Sequence, residues 1–414
     1  MYNLHLTSEQ LEIRDTVRDF VNGEIKSVVL KAGRLDAGDR TLSMELLEKA
    51  SQMGLRTLAL SEALGGAGAD ALTACLVTEE LAAGDADIAG ALTETSRLGH
   101  ILFDRTMSDA LRDRFLPTFL NDDGFHLAFA QREQDSDSKL GVNYRRAGTA
   151  ELPPQTRAAK ASDGSWIVDG TKIAVANAPV ARLFAVEVAI PGRSGTAILL
   201  VPADASGVAV HAYEKAWHHG PCGDVTFKEC RVPANHLLDG DAAALLKGAD
   251  APGRGIPLAQ ALNLGIARAA YEAAVEYAKL RVQGGRPIIE HQAIGTKLAE
   301  CAIRLDVART AVWRAAWASD HPEAYADGSL PDLPLQTVAQ VFTSEALLKA
   351  TKDATEVFGA MGVMRDMPLQ KYVHDARVCL HSGDGNTDAR LRIAEALAGY
   401  RRMADAGALA LAGE

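Results

Sequence analysis

The hydrophobic period of this 414-residue chain changes twice. From Thr7 to about Phe119 apolar residues recur at helical spacing, and Leu11, Ile13, Val17, Phe20 and Val21 fall close to one helix face. From about Gly124 to Asp239 strand-like runs replace them: Arg182 to Ile190, Thr196 to Val201, and Asp224 to Val232, which alternates around Val225 and Phe227. From about Leu258 onward helical spacing returns in Leu264 to Val282, Gln292 to Ser319 and Leu335 to Phe358, with a last helix around Asp388 to Met403. This order predicts a mainly α fold with a β-domain. An N-terminal helical domain spans 1–123, a β-barrel or sandwich domain 124–240, and a C-terminal four-helix bundle 241–414.

Local signals refine this frame. Thr7 and Gln10 form a capping-box pattern at the start of the first helix. The glycine-rich stretch Leu64 to Asp70 lacks the lysine and flanking strand of a phosphate-binding loop and reads as a structural turn. Asp163-Gly164 and Asp169-Gly170 carry turn chemistry, the second between two apolar runs. Ala318 to Pro334 holds Pro322, Gly328, Pro331 and Pro334 and is expected to connect helices. His218 and His219 near Cys222 lack a fourth residue at ligand spacing, so no metal is expected. Trp313 and Trp317, four apart on a helix, read as core or bundle interface.

A net charge of -11 argues against nucleic acid and anionic membrane as main partners. It leaves room for an anionic small ligand in a locally basic pocket. Five scattered cysteines (Cys75, Cys222, Cys230, Cys301, Cys379), with no CxxC pair, predict reduced thiols in a cytoplasmic protein. No signal peptide and no membrane span are expected.

Several segments, in order and at matching spacing, carry a resemblance to a known family. Arg281-Val282-Gln283-Gly284-Gly285-Arg286-Pro287-Ile288 with Gln292 resembles an R-x-x-F-G-x-x-[IL]-x-x-x-Q segment. Asp353 to Gly362 resembles a glycine-containing flavin segment, and His374-Asp375-Ala376-Arg377 resembles an R-D-A-[KR] leading into a catalytic loop. Val225 to Pro233 and Asp169 to Lys172 resemble a strand ending in V-P and a G-x-K turn. Together they resemble the acyl-CoA dehydrogenase family over nearly the whole chain. The resemblance implies FAD as hydride acceptor from the β-carbon of an acyl-CoA thioester, and a carboxylate that removes the weakly acidic α-proton.

The chain departs from that pattern selectively. Gly383 stands at the glutamate position, with Asp384 beside it in a Gly-Asp-Gly-Asn run that reads as a turn. The alternative base position falls on Gly253-Arg254-Gly255, with no carboxylate. The T-E-P-x-x-G-S-D pattern becomes Ala130 to Asp137, retaining only Ser136 and Asp137; W-x-T becomes Ala174-Val175-Ala176. Gly385 and Thr387 replace the threonine and glutamine that help hold a chain's own FAD.

By the same resemblance, Arg281, Gln292 and Gly359 reach a neighbouring subunit's FAD. Arg281 would meet its pyrophosphate, since a guanidinium fork suits phosphate oxygens, and Gln292 its adenosine side. Ser136 is a candidate flavin and CoA contact, and Arg254 a candidate for a CoA phosphate. The expectation is therefore a partner subunit of a heteromeric acyl-CoA dehydrogenase. Two alternatives stand beside it. One is a homo-oligomeric flavoenzyme that uses Asp384 as base or needs none. The other is a flavin-free acyl-CoA-binding or scaffold protein.

Overall fold

A computed structural model describes residues 5–31, 40–134, 154–193, 195–214, 218–238, 242–247, 257–381, 385–400 and 403. Helix α1 (Ser8–Phe20) starts with the expected capping box: the Gln10 amide donates to Thr7 Oγ1 and the Thr7 amide to Gln10 Oε1, each at 3.1 Å. It runs into a π-helical turn, Val21–Ile25. Helices α2 (Met44–Gln52), α3 (Ala71–Gly84), α4 (Ala86–Gly99) and α5 (Asp109–Asn121) follow. Asp70 caps α3 by accepting from the Thr73 amide, and Asp85 caps α4 by accepting from the Asp87 and Ile88 amides. Between α2 and α3 the glycine-rich stretch is a structural turn. The Gly66 and Gly68 amides are spent on the Ser61 and Leu60 carbonyls, and a Cβ on Gly66 would meet the Leu60 oxygen at 2.1 Å.

Among the described residues, eight strands form two four-stranded sheets. The first pairs β1 (His126–Ala130), β4 (Ala181–Val188), β5 (Ala197–Pro202) and β8 (Leu237–Leu238) in the order β1-β4-β5-β8. The second pairs β2 (Arg157–Lys160), β3 (Trp166–Ala176), β6 (Val208–Ala212) and β7 (Cys222–Val232) in the order β2-β3-β7-β6. Residues from both sheets, among them Phe184, Val186, Val201, Val168, Val225 and Phe227, share one core. Asp163-Gly164 makes the β2–β3 turn, with Gly164 at φ 87°. Asp169-Gly170 does not turn: β3 runs through it with a register shift. Gly170 at φ 144° lies so close to Thr156 that a Cβ would come within 2.6 Å of its Cα. The glycine there answers a bulge and a close approach, which local turn chemistry does not distinguish from a hairpin.

The C-terminal part contains α6 (Leu258–Leu280), α7 (Gln292–Asp320), α8 (Leu335–Val357), α9 (Leu369–Leu380) and α10 (Gly385–Leu397). Gly265 lets α6 settle onto α3, where a Cβ would lie 2.2 Å from the Glu79 carbonyl oxygen. One core joins residues of α1, α2, α3, α6 and α9. Asp375 to Leu380 completes α9, a helix that is not among those the hydrophobic period predicts. Trp313 packs beside Val312 and Ala316, and Trp317 stacks on His321 at 4.2 Å, consistent with packing roles. Among the described residues, no helix is long and apolar enough to cross a membrane.

Candidate functional site

Three helix ends meet at one end of the bundle. Tyr277, in the last turn of α6, stacks on Phe358 at the end of α8 with ring centroids 4.2 Å apart. Lys297, near the start of α7, pairs with Glu356 in the last turn of α8. Arg281, Gln292 and Gly359 are therefore carried on the same end, although 78 positions separate the first from the last.

Between α6 and α7 the chain makes a short hairpin of β9 (Val282–Gln283) and β10 (Arg286–Pro287), turning through Gly284 and Gly285 at φ 62° and 83°. His291 braces it: Nε2 lies 2.9 Å from the Gln283 carbonyl oxygen, which can only accept, so this nitrogen carries the proton. Gly284 stands at the phenylalanine of the R-x-x-F-G pattern, and its φ suits glycine. The Arg281 guanidinium and the Gln292 amide are exposed, with no hydrogen-bond or ion-pair partner among the described residues. Nothing lies within 4 Å of the place where a Cβ on Gly359 would sit. Exposed apolar side chains are carried on the adjoining segments: Leu280, Val282, Met361, Val363 and Met364. The combination suits a partner surface that brings an anionic group with it.

The β-domain presents a different surface. Ala174 and Ala176 are exposed on β3. Ala174 lies at φ 50°, and its amide already donates to Tyr213 Oη and Asp224 Oδ1, each at 3.2 Å. Behind them Lys172 is fully buried and donates to Glu133 Oε1 at 2.8 Å and to the Gln131 carbonyl at 3.1 Å. Burial alone would raise the Glu133 carboxyl. Bonds from Lys172 and from the Gln155 and Thr156 amides outweigh it and hold the group at about 2. Sequence reading missed this pair, because Glu133, just past β1, and Lys172, on β3, meet only through tertiary packing.

A second buried charge group ties α9 to the rest. Asp375 accepts from Lys371 Nζ at 2.7 Å and from Arg40 Nη1 at 2.5 Å, and Lys371 also lies 3.7 Å from Asp85. Desolvation opposes the charged forms. Even so, the Lys371 ammonium leads the effects that hold the Asp375 carboxyl well below the usual range, and Asp375 in turn raises Lys371. His219 joins this group from the β-domain, with Nε2 3.0 Å from the Asp375 carbonyl oxygen. That nitrogen is therefore a donor and not a metal ligand, and the described residues hold no metal-ligating cluster.

Helices α3 and α4 border a narrow apolar cavity of about 20 Å³, walled by Val77, Leu81, Leu92 and Leu258 among others. The Thr78 and Thr93 hydroxyls pair at its side, 3.1 Å apart. Ser136, Arg254, Gly383 and Asp384 lie outside the described residues. Of the replaced flavin-holding positions, Gly385 opens α10 at φ 77° and Thr387 is exposed on it.

Comparison with known proteins decides the family. Residues 7–123 match the N-terminal domain of acyl-CoA dehydrogenase, 145–230 its middle domain and 257–398 its C-terminal domain. An acyl-CoA dehydrogenase of Bacillus subtilis is 31% identical over 404 residues, covering 96% of this chain and 100% of that protein. The chain belongs to the acyl-CoA dehydrogenase family. A benzylmalonyl-CoA dehydrogenase of Aromatoleum aromaticum is also 31% identical, over 94% of this chain and 98% of its own length. The butyryl-CoA dehydrogenase of Megasphaera elsdenii superposes with a TM-score of 0.80 at 25% identity, covering 96% of this chain and 100% of that one. The family's cofactor is FAD, and the residues present fit it unevenly. The exposed Arg281 fork, without a partner among the described residues, and the open approach over Gly359 have the chemistry to meet a diphosphate. On β3, two methyl groups and an amide already engaged by Tyr213 and Asp224 offer a flavin ring neither an aromatic wall nor a free hydroxyl.

Proposed function

We propose that this chain is the partner subunit of a heteromeric acyl-CoA dehydrogenase that desaturates an acyl-CoA thioester between its α and β carbons. In this reading it lends Arg281, Gln292 and Gly359 to an FAD held by a homologous subunit, which supplies the catalytic carboxylate. The observation that carries the reading is the contrast between the two surfaces. The bundle end keeps an exposed cation without a partner among the described residues, with exposed apolar side chains on the adjoining segments, whereas the β3 face offers Ala174 and Ala176. When bound, FAD supplies the hydride acceptor; this chain's part is to hold the diphosphate and close the interface. Arg281 would do so through charge-assisted hydrogen bonds, and Leu280, Val282, Met361, Val363 and Met364 by leaving water on docking. The division into 1–123, 124–240 and 241–414 belongs to the same proposal, and so does a cytoplasmic location. All five cysteines are buried thiols, which supports a reducing compartment.

The test is the FAD affinity of the assembly formed with a homologous subunit. Arg281→Ala removes hydrogen bonds between charged partners worth roughly 1.5–3 kcal/mol, so FAD should dissociate about 10–100-fold more readily, with the subunits still associated. Unchanged FAD affinity in that variant contradicts the trans role. Loss of turnover in Asp384→Asn, with this chain the only protein present, would instead establish the homo-oligomeric alternative.

A further inference from the structure

On the N-terminal side of the molecule, α1, the π-helical turn Val21–Ile25, α3 and α6 enclose a cleft of about 240 Å³ lined by Arg18, Val21, Asn22, Lys26, Glu80, Ala83, Arg268 and Glu272. Its charges do not balance. Glu80, almost fully buried, serves two cations at once: Arg18 Nη2 donates to Oε1 and Arg268 Nη2 to Oε2, each at 2.7 Å. Arg268 is further engaged by Glu272 at 3.0 Å and by Glu79 at 3.0 Å, and Glu79 is shared with Arg309. Asp15, 3.7 Å from Arg18, is already paired with Arg14 at 2.7 Å. Lys26 is left with a neutral partner, donating to Asn22 Oδ1 at 2.9 Å. Among the groups that line the cleft, three cations face two carboxylates. Desolvation leads the effects that lower the Lys26 pKa, as expected for an ammonium short of counter-charge.

The π-helical turn adds an independent sign. Such turns cost backbone hydrogen-bond geometry and recur at functional positions. This one is held in place by Gly84, where a Cβ would come within 2.8 Å of Val21 and 3.0 Å of Ile25. Lys26 follows the turn directly, so the widened backbone sets the wall of the cleft from which its ammonium works.

We infer that this cleft is a binding site for a small oxyanion, a phosphate or a carboxylate, held by Lys26 with Arg18 and Arg268 beside it. The site is distinct from the bundle end that carries Arg281 and does not depend on the subunit reading. Two acidic neighbours, Glu80 and Glu272, restrict it to a ligand that reaches Lys26 without displacing them, which favours a compact anion. The test is isothermal titration of the full chain with inorganic phosphate and, separately, acetate, at fixed ionic strength in chloride. Saturable binding of at least one anion is expected, weakened at least tenfold in Lys26→Met and largely restored in Lys26→Arg. Preference between the two anions identifies the natural class. Absence of saturable binding, or binding equal in Lys26→Met and the unmodified chain, overturns the inference. Lys26 is only half-buried and leaves the Glu80 network intact when replaced, so the variant should fold; retained circular dichroism confirms that.

Discussion

Asp375→Asn should lower the folding stability of this protein by about 3–5 kcal/mol, the range for removing one partner of a buried ion pair. The cost arises because Lys371 and Arg40 stay buried when the carboxylate goes. Among the described residues, Lys371 would then have only Asp85, 3.7 Å away, as an acidic partner. The asparagine side chain keeps the shape and one acceptor, so the loss reads charge and not packing. The pH dependence has a definite sign. Asp375 is depressed, so its contribution is complete above the ordinary aspartate range near 3.9 and fades as pH falls through its folded value. Lys371 is raised, so its contribution is complete below the ordinary lysine range and fades as pH rises through its folded value. Urea denaturation at pH 7 checks the magnitude, and a change below about 1 kcal/mol would refute this account of the cluster.

Glu133→Gln should cost a similar amount, about 3–5 kcal/mol, because Lys172 is wholly buried and the Gln131 carbonyl cannot neutralise it. Here the pH window is explicit. The Glu133 carboxyl sits at about 2 in the fold against an ordinary 4.5, so its stabilisation is present above 4.5 and lost between there and about 2. The unmodified protein should therefore lose stability on acidification through that window, and Glu133→Gln should show a shallower loss from a lower starting point. Denaturation midpoints measured from pH 7 to pH 3 compare the two slopes; parallel curves would show that the pair does not carry the effect. Lys172→Met, which removes the cation as well in the double variant, should recover part of the loss, since a buried pair replaced by apolar groups is often neutral.

The architecture was legible because hydrophobic period is a local property. The alternation around Val225 and Phe227 and the long helical runs after Leu258 needed no knowledge of partners. The capping box at Thr7 and Gln10 was legible for the same reason. Asp169-Gly170 misled because its glycine answers a neighbour, Thr156, and not a turn. The helix from Leu369 to Leu380 was not among the predicted elements, because its segment was read for its motif and not for its period. Glu133 with Lys172, and Asp375 with Arg40 across 335 positions, could not be paired without the tertiary packing that brings distant segments together. At the candidate site, the sequence motifs named Arg281, Gln292 and Gly359. Only the stacking of Tyr277 on Phe358 and the Lys297–Glu356 pair bring these three to one end of the bundle. Ser136, Arg254, Gly383 and Asp384 stay as sequence expectations.

The central claim is that this chain holds half of a flavin site. The measurement that reaches it most directly is the flavin absorbance of the purified protein, once alone and once co-expressed with a homologous acyl-CoA dehydrogenase subunit. The protein alone should be colourless, and the complex should be yellow and co-purify with FAD. A yellow protein alone that oxidises an acyl-CoA at an ordinary rate would contradict it.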